Sequence, residues 1–135
     1  MKKLLSTKYS AGAFNGAMLL LRLGSGISMM GHGYNKLVHF NTMRHSFMNF
    51  MGLGSSVSLT LDIFAELCCA FLIVIGLFTR LVTIPLIIAM SVAFFKAHNA
   101  ELFGKGELPA LFLACYVVLL LVGPGRISVD GIAGK

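Results

Sequence analysis

Between Val57 and Phe78 the chain reads VSLTLDIFAELCCAFLIVIGLF, an apolar run interrupted only by small hydroxyl residues and by two carboxylates, Asp62 and Glu66. A run of this length matches the roughly 20 residues that an α-helix needs to cross the hydrocarbon of a bilayer. Three further apolar stretches flank it, so that helices are expected over about 11–30, 57–78, 81–96 and 108–122. The last two are shorter, and Lys96 and Arg126 at their ends can snorkel to the interface. Charged residues make up only 12% of the chain, about half the share of an ordinary soluble domain, and the mean hydropathy is +0.87. A soluble bundle would need polar outer faces that these stretches lack. The expected fold is therefore all-α: a single domain over 1–135 forming an integral membrane four-helix bundle.

The first loop holds His39, Phe40, Met43, Phe47, Phe50 and Met51 at spacings that line one side of a helix, which predicts a short amphipathic helix lying in the interface. Its histidines and methionines match no metal-ligand spacing, so no metal is expected. MKKLL at the start resembles the opening of a signal peptide, but Asn15 and Arg22 interrupt the apolar region and no clean cleavage site follows, so an uncleaved first helix is expected. Cys68, Cys69 and Cys115 all lie in apolar runs without a CxxC pair and read as small residues at helix contacts.

The net charge of +6 reads as an orientation signal, not as a nucleic-acid footprint. Six basic residues (Lys2, Lys3, Lys8, Arg80, Arg126, Lys135) fall on the side of the termini and four (Lys36, Arg44, Lys96, Lys105) on the other. The positive-inside rule then predicts a multi-pass protein of the cell (inner) membrane with both termini cytoplasmic.

Ionisable residues at membrane depth are costly and point to function. Arg22 and Glu66 each fall about midway along their expected helices, which predicts an ion pair between them. Asp62 lies one turn above Glu66 on the same face. Toward the same outer end the chain supplies His32 and Lys36 in MMGHGYNKL, His98 after the third stretch and Glu107 at the start of the fourth. Gly31 and Gly33 bracket His32 and would let a ligand or another backbone come close. His32, Lys36, Asp62, Glu66, His98 and Glu107 are the expected ligand-binding set, with His32, His98 and Glu66 as candidate proton carriers.

The series LLLRL, GHGYNKL, AEL, GLFTR, a His after the third helix, E-L-P and GPGRISVD, spanning Met18 to Asp130, resembles the DoxX family of small four-helix membrane proteins. The chain departs from the family pattern at Cys68 and Cys69, where two glycines are usual, so helix packing is expected to differ there. The positions that match the family motifs are Arg22, His32, Lys36, Glu66, Arg80, His98 and Glu107. The resemblance implies a membrane subunit of a quinone-linked oxidoreductase, as in a thiosulfate:quinone oxidoreductase and an archaeal terminal quinol oxidase. It implies a quinone or similar lipophilic ligand near the outer face and a soluble or membrane redox partner protein. An oligomer of the chain is compatible with it. No flavin, Rossmann or iron–sulfur motif is present, so electrons are expected to come from another subunit. A haem held by His32 and His98 has ligands but no further support. A different reading of the same fold is a non-enzymatic membrane anchor or assembly factor, or a binder of small lipophilic molecules.

Overall fold

A computed structural model describes residues 1–49, 51–97 and 102–134. Within them the chain is helical and contains no strand. The first long helix, α1 (Ala11–Val38), starts at Ser10, whose hydroxyl accepts the Ala13 N–H at 3.1 Å. It runs on through Gly31 and Gly33 and ends at Val38, eight residues beyond the expected limit. A single further turn, α2 (Phe40–Met43), follows it. This corrects the interfacial helix expected in the first loop: Arg44 to Ser46 are already in turns, and Phe50 lies outside the described residues. The reason is local. Met51, Gly52 and Gly54 all take positive φ, and the Asn49 side chain accepts the Gly54 N–H at 2.8 Å, so side chain and backbone together favour a turn.

The second long helix, α3 (Ser55–Ile75), contains a π-helical segment over Ala65–Cys69. It stops at Gly76, where φ is +76° and the Leu77 N–H reaches back to the Leu72 carbonyl at 2.9 Å. That is a Schellman closure, which a residue with a Cβ resists. Next comes α4 (Thr79–Val92), with a π-helical continuation over Ala93–Ala97, and then α5 (Glu107–Val122). A last turn, α6 (Val129–Ile132), is capped by the Ser128 hydroxyl.

α1 packs along α3, and α4 along α5. Between them lies a core of Met18, Met29, Cys69, Ile73, Leu86, Met90, Phe112, Tyr116 and Leu119. Gly26 and Gly33, seven residues apart on one face of α1, let α3 approach closely. A Cβ on Gly33 would stand 3.0 Å from the backbone of Glu66, whereas one on Gly31 would meet nothing within 4 Å.

The outward faces are apolar: Leu20, Leu81, Leu111 and Leu121 are 59–73% exposed. In water such faces would be polar. α3 and the stretch Thr79–Lys96 are long and apolar enough to cross a membrane, while α5 is apolar but shorter.

Both termini lie at one end. There the Asn15 side chain of α1 accepts the Arg126 N–H at 2.9 Å, and Asp130 accepts the N–H groups of Phe78 and Thr79, each at 2.9 Å. These two donors open α4, whose preceding residue is Phe78 and supplies no capping oxygen of its own. The carboxylate of Asp130 comes from the far end of the sequence to satisfy them.

Candidate functional site

At the opposite end, the close approach allowed by Gly33 brings α1 and α3 together where α3 carries its carboxylates. The Lys36 ammonium lies 2.7 Å from Glu66 Oε1 and also bonds Asp62 Oδ2. Asp62 and Glu66 are one turn apart, so a single lysine from the facing helix reaches both. The burial is graded: the side chains of Lys36, Asp62 and Glu66 are 24%, 15% and 3% exposed. The group therefore leads from the surface inward, ending at Glu66 Oε2, which is buried and has no hydrogen-bond partner among the described residues. Phe47 of the first loop places its ring 5.8 Å from the Lys36 nitrogen, a cation–π contact.

Glu66 lies within the π-helical segment of α3. Such segments break the regular i to i−4 ladder and recur at functional positions. The segment coincides with AELCC, where the chain departs from the glycine pair of the DoxX pattern; Cys69 is buried there and Cys68 exposed.

The expected Arg22–Glu66 ion pair does not form. The residue of α1 level with Glu66 is Gly33, eleven positions beyond Arg22, or about 16 Å along the helix. Because α1 extends to Val38, its midpoint lies further out than the sequence suggested. Arg22, 1% exposed, instead turns to the other end of α3. It donates to the carbonyls of Ile73 (3.5 Å) and Val74 (3.4 Å), and to that of Ile127. It closes the end of α3 and ties down the C-terminal segment. Arg80 plays the same part for α5, its guanidinium 3.4 Å from the Val122 carbonyl.

The other expected ligand-binding residues are dispersed. His32 is exposed one turn below Lys36 and meets the Phe112 ring edge-on at 5.9 Å. Glu107 is exposed in the first turn of α5. Neither has a hydrogen bond or ion pair to the lysine–carboxylate group among the described residues. His98 lies outside the described residues. Among the described residues no group of three His, Cys, Asp or Glu side chains is arranged to hold a metal ion.

Sequence reasoning missed Phe47 over Lys36 and Asp130 at the start of α4. The second had a trace: GLFT opens a helix with no Ser, Thr, Asp or Asn ahead of it, so an acceptor had to come from elsewhere.

A family model described as DoxX matches residues 17–99, which take in Arg22, Lys36, Asp62, Glu66 and Arg80. No curated protein matches the chain, and no solved structure matches it.

Proposed function

The chain belongs to the DoxX family and is a membrane protein, and on that premise we propose that it is the membrane subunit of a quinone-linked oxidoreductase. All four long helices cross the bilayer as a bundle, with both termini cytoplasmic in the inner membrane, and Lys36, Asp62 and Glu66 hold the polar head of a quinone or similar lipophilic molecule near the outer face. The observation that carries this reading is the buried Glu66 Oε2, beside a lysine and with no hydrogen-bond partner among the described residues.

The residues fit such a head group. An ammonium has three N–H donors, and the two carboxylates take two of them. The third is available to a carbonyl oxygen, and the charge favours that oxygen when it becomes negative. Glu66 Oε2 offers a place for a proton next to that donor. Asp62, nearer the surface, offers a path between Glu66 and water. A bound quinone would supply the redox chemistry, and a partner subunit the electrons. His32 and Glu107 stand outside this group and serve the surface.

The test is purification in mild detergent, followed by an absorption spectrum and solvent extraction of bound lipids. The expected result is a colourless protein whose extract contains quinone, with the quinone lost in Lys36→Met. A haem spectrum would contradict the proposal. An extract with phospholipid alone, from a membrane rich in quinone, would favour the anchor or assembly reading.

A further inference from the structure

At the end that carries both termini, the first turns of α1, the start of α4, the turn after α5 and α6 enclose an open groove of about 930 Å³. We propose that this groove binds the head group of an anionic phospholipid. The proposal rests on the chain being a membrane protein and not on the quinone reading.

Two arginines line the groove, Arg80 and Arg126, and both are exposed. Arg80 is held in place by the carbonyls of Leu121 and Val122, which leaves further guanidinium donors for a ligand. Arg126 is fixed through its backbone N–H to Asn15, and its side chain makes no hydrogen bond or ion pair among the described residues. Among the described residues the one carboxylate lining the groove, Asp130, is 6% exposed, and its two oxygens accept from Phe78 and Thr79. The accessible charge is therefore positive. Thr79 lines the same groove and has a buried hydroxyl with no partner among the described residues.

The rim identifies the ligand as an amphiphile. Phe78, Leu81 and Val122 also line the groove and are 50%, 65% and 40% exposed, an apolar margin that suits acyl chains. Basic pockets of this kind between spanning helices recognise phosphate-bearing head groups. A soluble anion would gain nothing from the apolar margin.

The test is thermal unfolding of the purified protein in neutral detergent, titrated with short-chain phosphatidylglycerol, with phosphatidylcholine of the same chains, or with inorganic phosphate. Phosphatidylglycerol is expected to stabilise at about fivefold lower concentration, or less, than phosphatidylcholine. Arg126→Gln should reduce that preference about fivefold, and Arg126→Lys should keep most of it. Equal responses to the two lipids in the unaltered protein would overturn the proposal without recourse to any variant. So would an unchanged preference in Arg126→Gln. Inorganic phosphate stabilising as well as phosphatidylglycerol at equal concentration would replace the lipid by a soluble anion.

Discussion

Lys36 is bonded to two carboxylates, which makes the three residues unequal. Glu66→Gln leaves Lys36 still paired with Asp62, so its cost in stability is expected to be small. Lys36→Met leaves two neighbouring carboxylates without their cation and is expected to cost about 1–3 kcal/mol or more. Adding Glu66→Gln to Lys36→Met should recover part of that loss, because it removes the repulsion between Asp62 and Glu66. Thermal or chemical unfolding in detergent reads all three; Lys36→Met proving no worse than Glu66→Gln would contradict the arrangement. Arg22→Gln should destabilise by exposing the end of α3, and should add to Glu66→Gln within about 0.5 kcal/mol, since the two sites share no partner. At this scale the sequence shows that Asp62 and Glu66 need partners, because carboxylates in an apolar run demand them. It misassigns the partner of Glu66, because depth was measured from a helix end that does not exist.

That end is the lesson at the scale of elements. The first helix is expected to end at about residue 30, yet Gly31 and Gly33 are both helical and α1 continues to Val38. Only one of them is needed for packing. Gly33→Ala should push α3 away at Glu66, costing about 1–3 kcal/mol and separating Lys36 from Glu66. Gly31→Ala, facing open space, should be neutral or stabilise by about 0.5–1 kcal/mol. Equal effects of the two changes on melting would show that α1 does not present the face described. The π-helical segments were not legible at all. No residue type at 65–69 or 93–97 announces them. The interfacial helix failed for the converse reason: the apolar spacing is present in the sequence, but beyond Met43 the described residues of the loop take turns and bends, with the turn chemistry of Asn49, Gly52 and Gly54 opposing a helix.

Over the whole molecule, four apolar runs and their order were plain from hydropathy, as was the placing of both termini at one end, which follows from an even number of long helices. The seal at that end was not, because Arg22, Asp130 and Arg126 act across 51 to 111 positions of sequence. In a chain freed of native cysteines, Ser46→Cys and Lys105→Cys should react with membrane-impermeant thiol reagents added outside. Ser6→Cys and Gly134→Cys should react only once the membrane is opened, and the opposite labelling would invert the orientation. Whether Lys36 and Glu66 receive the polar head of a quinone decides the function of the molecule. That binding is tested most directly by titrating the purified protein and its Lys36→Met/Glu66→Gln variant with a short-chain quinone analogue and following the unfolding temperature. A saturable rise is expected for the unaltered protein and none for a variant that still folds. A rise of the same size and midpoint in both would contradict it.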